Sequence, residues 1–286
     1  MHPPVATSQT LTSALVVGGS SGIGRAFGLE LVRAGARVVF AGRSESALLE
    51  AVSAARELGG VASHAVVDVR DPSTLERAVA AAIDFAGSLD LMFNGAGTGM
   101  LAYAEDTTLA HYEDVIGTNL MGVVHGVHAA YPAMKRQGHG HIVNVSSLAG
   151  LVPMPASTAY CAAKYGVVGL SEALRMEAAE FGVQVSVVCP AAVRTSIFER
   201  AAYVGFDKDV IAASPPPGGL QSSEACARQI LAGVRQNRGV ITPGSAGAIA
   251  ALSRHFPSLW TLAGKSFARK LKAGRTLPGS VSRTPS

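Results

Sequence analysis

Short apolar runs alternate with longer stretches in which apolar residues recur every three or four positions, and this pattern continues as far as Cys189. Apolar runs of this length predict strands, and the longer periodic stretches predict amphipathic helices. The predicted strands are Ala14–Val17, Arg37–Ala41, Ala62–Val67, Leu89–Asn94, His141–Ser146 and Gln184–Cys189. The predicted helices between them are Arg25–Ala34, Glu45–Leu58, Pro72–Ala86, Tyr112–Met134 and Ala159–Phe181.

This alternation predicts one α/β domain built on a parallel, doubly wound sheet with helices on both faces. Repeated strand–helix–strand units form parallel sheets with right-handed crossovers. A chain of 286 residues is compatible with one such domain, since α/β folds often reach roughly 200–250 residues undivided. Ligands in such sheets bind at the carboxyl ends of the strands, so we expect the chemistry there.

The composition favours a packed domain in a reducing compartment. Apolar residues make up 48% of the chain and charged residues 15%, which suits a large core rather than disorder. The segment Met1–Thr12 lacks the basic-then-apolar build of a signal peptide. Cys161, Cys189 and Cys226 form no paired framework, so we expect a cytoplasmic protein.

The pair Tyr160 and Lys164 is the strongest candidate for chemistry. On a helix the two side chains lie on one face, one turn apart. An ammonium about 4 Å from a phenol contributes on the order of 4 kcal/mol, enough to bring a phenol pKa of about 10 towards neutrality. Ser147, beside the end of a predicted strand, could hold the oxygen that the tyrosine protonates. Taken alone, however, such a pair is more often an exposed helix face.

A glycine-rich segment links the first predicted strand to the first predicted helix. Gly18, Gly22 and Gly24 permit a tight turn and close approach to a pyrophosphate, and the helix N-terminus supplies N–H groups. A chain with 32 glycines can produce this spacing by chance, but its place between strand and helix favours a dinucleotide. The segment also spells Gly18-x-Ser20-x-Gly22, the nucleophile-elbow pattern, which leaves a serine hydrolase as a remote alternative.

Residues after the next predicted strands bear on the choice of cofactor. A ribose 2′-phosphate is bound by arginine and a free 2′-hydroxyl by a carboxylate, so Arg43 favours NADP(H) and Glu45 is the candidate for NAD(H). Asp68 could contact an adenine, although a strand-end aspartate is more often a turn or cap residue. Asn119 interrupts an apolar helical stretch, and could hold a water or be a paired core amide.

The histidines predict no metal site. His125 and His128 are close on a predicted helix, and His139 and His141 flank a loop. No carboxylate or thiol completes either set into a typical zinc site, so we expect no metal.

Together these motifs resemble those of the short-chain dehydrogenase/reductase family, over about residues 12–195 and in family order. The resemblance implies a Rossmann fold and the catalytic residues Asn119, Ser147, Tyr160 and Lys164. The cofactor-binding residues that it implies are Gly18, Ser20, Ser21, Gly22, Ile23, Gly24, Arg43, Asp68, Val69, Asn94, Ala96, Gly97, Tyr160, Lys164, Pro190, Val193 and Thr195. Three positions depart from the family pattern: Val17 replaces its usual threonine, Gly95 an asparagine and Ala191 a glycine.

The resemblance also implies a domain plan and a reaction. We expect a flexible tail at 1–11, a catalytic domain at 12–245 with a substrate lid at about 196–222, and a basic amphipathic extension at 246–286. The reaction implied is hydride transfer between a nicotinamide and a carbonyl carbon, with tyrosine as the acid or base. The apolar lid predicts a lipophilic ketone, aldehyde or alcohol as substrate. An NAD-dependent alcohol or hydroxysteroid-type dehydrogenase is the main alternative, and a non-catalytic NADPH sensor a remote one.

The C-terminal extension leaves two interpretations open. From Ala225 onwards the chain has ten Lys and Arg residues and no Asp or Glu, whereas the preceding part is acidic. Apolar residues at three- and four-residue steps predict two amphipathic helices that meet at Pro257. They could attach to anionic lipid. We favour the alternative, in which they cover the predicted lid or a subunit interface in a homo-oligomer. We expect no nucleic-acid partner.

Overall fold

A seven-stranded parallel sheet forms the centre of the computed structural model, which describes residues 11–212, 219–273 and 275. The strands in chain order are β1 (Ser13–Val17), β2 (Arg37–Gly42), β3 (Ala62–Val66), β4 (Leu91–Asn94), β5 (Met100–Ala102), β6 (Gly140–Val145), β7 (Val183–Val188), β8 (Ala202–Val204) and β9 (Val240–Ile241). The main sheet has the order β3-β2-β1-β4-β6-β7-β9, and β5 pairs with β8 in a separate two-stranded sheet. Strand order therefore reverses between β1 and β4, where a crevice for a ligand is expected.

Helices cover both faces of the sheet, as the alternation predicted. They are α1 (Gly22–Arg33), α2 (Glu45–Glu57), α3 (Pro72–Ala86), α4 (Leu109–Ile116), α5 (Gly122–Gln137), α6 (Thr158–Ala178), α7 (Ile197–Arg200), α8 (Lys208–Ala212), α9 (Ser223–Arg235), α10 (Ala246–His255) and α11 (Pro257–Ala273). Within β1, Val16 packs in a core with α1, α2 and α9, whereas Leu15 and Val17 pack in a second core with α3, α5 and α6. Successive strand residues point to opposite faces, so both cores draw on the same strands.

The predicted strands and helices are confirmed to within a few residues, with one internal difference. The single helix predicted at Tyr112–Met134 consists of α4, a π-helical turn at Gly117–Met121 and α5. A π-turn inserts one residue into a helix and leaves the apolar periodicity on either side almost unchanged, so the pattern does not reveal it.

Six strands and helices were not predicted: β5, β8, β9, α7, α8 and α9. β5, β8 and β9 have two or three residues each, which is too short for a period of two to be visible. α9 packs closely against α1 and begins at Ser222, whose hydroxyl accepts a hydrogen bond from the Ala225 N–H. Residues 1–10 of the predicted tail, 213–218 of the lid, and 274 and 276–286 of the extension lie outside the described residues.

A buried chain of polar side chains joins β4, β6 and α6 below the crevice. The Asn94 amide donates to the Asn144 carbonyl oxygen at 2.9 Å, and the Asn144 amide donates to the Ser171 hydroxyl at 3.0 Å. All three side chains are buried. Because buried amides are costly unless paired, this chain fixes the register of two strands whose ends carry the site.

Candidate active site

The loop between β1 and α1 is built around glycines that lack room for a side chain. Gly18 has a φ of 80°, and a Cβ there would lie 2.7 Å from the Ala96 N. A Cβ on Gly24 would overlap the Gly18 carbonyl oxygen. The turn is therefore tight, with its backbone against the loop that follows β4, as the glycine spacing predicted.

The first turn of α1 faces the segment that follows β7. Gly22 has a φ of 54°, and a Cβ there would lie 3.0 Å from the Thr195 methyl group. Ser21 is the N-cap residue of α1, and its hydroxyl accepts a hydrogen bond from the Arg200 guanidinium at 3.0 Å. The helix N-terminus, with its N–H groups, thus lies beside the segment Pro190–Thr195, which contains the predicted cofactor residues Pro190, Val193 and Thr195.

The same segment also contacts the loop that carries the candidate serine. The Leu148 N–H donates to the Pro190 carbonyl oxygen at 2.8 Å, one residue after Ser147. Val193 is buried and forms an isolated parallel bridge with Gln221. The predicted cofactor segment and the predicted catalytic loop therefore share one backbone contact.

Ser147 and Tyr160 come together where β6 meets α6. Burial raises the pKa of the Tyr160 phenol above its usual range, and a hydrogen bond with Ser147 opposes that rise. Lys164 is buried, and its ammonium lies 5.7 Å from the Tyr160 ring centroid. It donates to the Val145 carbonyl oxygen at 3.0 Å, at the end of β6.

The electrostatics of this pair differ from the simple expectation of a lowered phenol pKa. Loss of solvation acts on both groups, and it lowers the pKa of Lys164 to about 8. For Tyr160, loss of solvation outweighs the hydrogen bond with Ser147 and raises the phenol pKa, so the phenol stays protonated at neutral pH. A group of this kind starts a reaction as an acid, and Ser147 is the neighbour that can share its proton.

Asn119 is a paired core amide at the centre of the π-helical turn. Its side chain is fully buried; its oxygen accepts from the Thr98 N–H at 2.7 Å and its nitrogen donates to the Thr98 carbonyl at 2.9 Å. The side-chain amide thus anchors the loop after β4. At Gly97 an added Cβ would lie 3.1 Å from the Asn119 amide oxygen and 3.8 Å from the Lys164 nitrogen, so these residues converge.

The other predicted cofactor residues lie at the same edge, with their side chains in different roles. Asp68 is exposed, and one carboxylate oxygen accepts from the Arg70 N–H at 3.0 Å, which is the turn role that was the alternative. Val69 is buried against α5. Asn94 points into the core, so at this edge it presents its backbone rather than its amide. Ala96 and Ile23 are half-buried beside the glycine loop.

Arg43 and its rival Glu45 both lie just beyond the end of β2. Arg43 is exposed. The Glu45 carboxylate is 3.4 Å from the imidazole of His64 on β3. A Cβ on Gly42 would lie 3.4 Å from the Ser20 hydroxyl, so the glycine loop and the end of β2 are adjacent.

The family model of the short chain dehydrogenases matches residues 12–202 of this chain. The protein is a short-chain dehydrogenase/reductase. It is therefore an NAD(P)-dependent oxidoreductase that acts on CH–OH groups, and membership in this family rules against the serine-hydrolase alternative.

Individual relatives agree with this assignment. The chain is 34% identical to a D-beta-hydroxybutyrate dehydrogenase of Rhizobium meliloti, over 66% of this chain and 74% of that protein. It is 37% identical to a monensin polyketide synthase putative ketoacyl reductase of Streptomyces virginiae, over 68% and 75%. A short-chain dehydrogenase/reductase structure from Burkholderia phymatum, in complex with NAD, matches with a TM-score of 0.77 and 27% identity, over 89% of this chain and 96% of that one.

The loops of this dehydrogenase/reductase fit a dinucleotide. Gly18 and Gly22 are half-buried and have positive φ, Gly24 packs against the Gly18 backbone, and α1 begins there with its N–H groups. Among the described residues, no group of three or more His, Cys, Asp or Glu side chains could hold a metal ion. No described helix is both long enough and apolar enough to cross a membrane.

One departure from the family pattern, Gly95, has a local explanation. The Gly95 N–H donates to the Val17 carbonyl at 2.9 Å, so two of the departing positions are adjacent and joined through the backbone. A Cβ on Gly95 would overlap the Phe93 ring, which stacks on Phe27 with centroids 4.5 Å apart. An asparagine at position 95 would require this aromatic pair to move.

Sequence reasoning missed Arg200, Asn144 and Ser171. Arg200 is one of several charged residues in the predicted lid, which has no periodic pattern, so its contact with Ser21 could be found only in the fold. Asn144 lies within an apolar strand and Ser171 within a helix, and buried polar residues at such places are the signal that could have identified them.

Proposed function

We propose that this enzyme uses NADPH to reduce a lipophilic ketone or aldehyde to the alcohol, or catalyses the reverse oxidation. The observation that carries the proposal is the Tyr160 phenol, hydrogen-bonded to Ser147, beside a mainly apolar depression. The depression is lined by Met100, Ala102, Thr107, Ala156, Ser157, Thr158, Ala159 and Tyr160. Apolar side chains around a polar pair favour a substrate that presents one oxygen and is otherwise apolar.

The proton chemistry is assigned to Ser147 and Tyr160. In the direction of reduction, the Ser147 hydroxyl orients the carbonyl oxygen and the Tyr160 phenol gives that oxygen its proton. The neutral phenol that burial maintains is the form this direction needs. A bound nicotinamide cofactor would supply the hydride, held by the glycine loop and the Pro190–Thr195 segment.

Lys164 and Asn119 have supporting roles in this proposal. Lys164 is a buried cation beside the tyrosine, and it would favour any negative charge that develops on the phenol. Asn119 holds Thr98 through two hydrogen bonds and thereby shapes the wall that faces Gly97 and Lys164.

The choice of NADPH is based on Arg43. It is the first charged residue after β2, and a guanidinium can bind a 2′-phosphate through two parallel hydrogen bonds. Glu45, which would bind a free ribose, lies beside His64 and on the first turn of α2. These positions support a cofactor with a 2′-phosphate.

The decisive experiment compares both cofactors across a panel of carbonyl substrates. We expect the wild-type enzyme to oxidise NADPH faster than NADH at equal concentration. Arg43→Ala should raise KM for NADPH about ten- to a hundredfold, the range for a lost charge-assisted contact, and leave KM for NADH nearly unchanged. Arg56→Ala, at an exposed site on α2, is the matched control. A wild-type preference for NADH would refute the assignment and implicate Glu45.

An NAD-dependent alcohol dehydrogenase is the second candidate. The Burkholderia structure named above is in complex with NAD, and the Rhizobium relative is named as a dehydrogenase. Oxidation of a panel of lipophilic secondary alcohols with NAD and NADP separates the two functions. Faster turnover with NAD, together with loss of that turnover in Glu45→Ala, would favour this candidate.

A further inference from the structure

The C-terminal helix α11 uses one face to attach to the body of the enzyme. The Trp260 indole N–H donates to the Pro153 carbonyl oxygen at 3.4 Å. The Tyr103 hydroxyl donates to the Ala268 carbonyl oxygen at 2.8 Å. Leu271 is buried in an apolar cluster. Trp260, Ala268 and Leu271 share one helical stripe, so packing against the body occupies this stripe alone.

A second set of apolar side chains on α10 and α11 is not covered by the body. The exposed fractions are 51% for Leu252, 53% for Phe256, 60% for Leu259, 61% for Leu262 and 41% for Phe267. Single exposed apolar residues are normal on a protein surface, but a cluster within two consecutive helices marks an interaction site.

Cations lie among these apolar side chains. Lys265, Arg269 and Lys270 are exposed on α11, on the side of the helix that carries Leu259 and Leu262. No Asp or Glu follows Glu224 in the sequence, so no acidic side chain of these helices offsets their charge. We call the exposed apolar and cationic residues of α10 and α11 the outer face.

We propose that the outer face binds the surface of an anionic lipid bilayer. Apolar side chains of an amphipathic helix insert at the boundary between head groups and acyl chains, and lysine and arginine side chains pair with anionic head groups. The outer face offers both kinds of group on adjacent turns. α11 also contacts Tyr103 and the loop at Pro153. Lipid binding by the outer face would therefore hold the apolar depression beside Tyr160 near the bilayer.

A second copy of the chain fits the outer face less well. A twofold dimer places the same patch of both subunits in contact, so Lys265, Arg269 and Lys270 would face a patch that contains the same three cations. Like charges in contact oppose such an interface, and the outer face has no carboxylate to separate them. An anionic bilayer meets the positive charge and the exposed apolar surface at once.

Co-sedimentation of the full-length enzyme with vesicles tests the proposal. The vesicles contain equal parts of phosphatidylglycerol and phosphatidylcholine, or phosphatidylcholine alone, at low salt. We expect the enzyme to pellet with the anionic vesicles only. Lys265→Glu with Arg269→Glu should lower the partition coefficient about 25-fold or more, at about fivefold per cation. Leu259→Ser with Leu262→Ser should also weaken binding, because insertion is lost.

Matched controls carry the same chemical changes on other surfaces. Arg56→Glu with Arg136→Glu reverses two exposed charges on α2 and α5, and Leu49→Ser with Met176→Ser removes two exposed apolar side chains. These controls should bind vesicles like the wild type, and retained turnover shows that each variant is folded.

Three results would overturn the proposal. One is a wild-type enzyme that stays in the supernatant with anionic vesicles. Another is equal loss of binding in the two charge-reversal pairs, which would indicate a general charge effect. The third is a lower molar mass for the Leu259→Ser, Leu262→Ser enzyme than for the wild type in light scattering, with unchanged vesicle binding. That result would assign the outer face to contact with a second copy of the chain. None of these results would bear on the proposed reductase activity.

Discussion

At the scale of single residues, the site combines a neutral phenol with a buried cation. Tyr160 keeps its proton because burial raises its pKa, and Ser147 is the group that hydrogen-bonds to it. The Lys164 ammonium donates to the Val145 carbonyl oxygen, so it also ties α6 to the end of β6. The chemistry assigned to these residues leads to two predictions, one on turnover and one on stability.

Tyr160→Phe should reduce kcat at least about 100-fold, the lower range for loss of a general acid, and leave cofactor affinity within about twofold. The change removes one hydroxyl and leaves the ring, so packing is preserved. Steady-state turnover and titration of NADPH fluorescence measure the two quantities. Tyr165→Phe, at an exposed site on the same helix, should behave like the wild type. Turnover above about a tenth of wild type, a loss of only about 1.4 kcal/mol, would contradict the assignment.

Lys164→Met should make the protein more stable at neutral pH while abolishing turnover. Burial lowers the pKa of Lys164 from 10.5 to about 8, so between these values the folded protein binds fewer protons than the unfolded chain. Stability from this group therefore rises as the pH is raised through that window. Below about pH 8 the buried charge costs on the order of 3 kcal/mol, which methionine would avoid.

Urea denaturation at a series of pH values measures this effect. The stability advantage of Lys164→Met over the wild type should be largest at pH 7 and shrink as the pH approaches about 10.5. A difference that stays constant across that range would show that the lysine does not titrate in the folded protein as described.

At the scale of elements, α11 and the residue beyond it close the region around β5 and β8. Arg275 pairs with Glu105 at 2.5 Å and with Asp106 at 2.7 Å, and lies 5.3 Å from the Tyr103 ring centroid. It also forms an isolated antiparallel bridge with Phe206. The extension is therefore attached, at Arg275, to the short helical turn Ala104–Asp106 that follows β5.

Arg275→Ala should loosen this attachment and alter the binding of bulky substrates. The expected result is faster amide hydrogen exchange in β5 and β8, with KM changed more for large than for small carbonyl substrates and KM for NADPH unchanged. Arg269→Ala, which removes an exposed guanidinium from α11, is the control for a simple loss of charge. Identical exchange in the variant and the wild type would show that Arg275 is not needed to hold the segment.

The elements that sequence could predict are those long enough to show a period. The strands of the main sheet from β1 to β7 have four to six residues, and the pattern located them, whereas β5 and β8 have three each and become strands only by pairing with each other. The parallel, doubly wound sheet followed from general rules for α/β folds, but the order of its strands was not predicted. The π-turn at Asn119 was not predicted, because it leaves the apolar periodicity on either side almost unchanged.

The candidate site was predictable in its membership but less so in its orientations. The glycine loop, Ser147, Tyr160 and Lys164 are brought to one edge because the carboxyl ends of parallel strands meet there. The direction of the Asn94 side chain was not predictable from its strand-end position, since a partner on β6 decides it. The direction of the pKa shift of Tyr160 depends likewise on burial that a helical spacing does not report.

At the scale of the whole molecule, a hydrogen bond joins the predicted lid to the glycine loop, although the two segments lie far apart in the sequence. The Arg200 guanidinium donates to the Ser21 hydroxyl at 3.0 Å, over a separation of 179 residues. It also donates to the Ser196 hydroxyl within the lid. A guanidinium in this position can bind a pyrophosphate, because Ser21 lies within the predicted pyrophosphate loop.

Arg200→Gln should therefore uncouple the lid from the cofactor loop. In the wild type, NADPH should slow chymotryptic cleavage after Phe198 and Tyr203, since the negative phosphates hold the lid through the guanidinium. In the variant this protection should be largely lost, and the Kd for NADPH should rise about tenfold. Lys208→Gln, which removes an exposed cation within the predicted lid, is the control. If NADPH protects the Arg200→Gln lid as well as it protects the wild-type lid, the contact with Ser21 does not couple the two halves of the molecule.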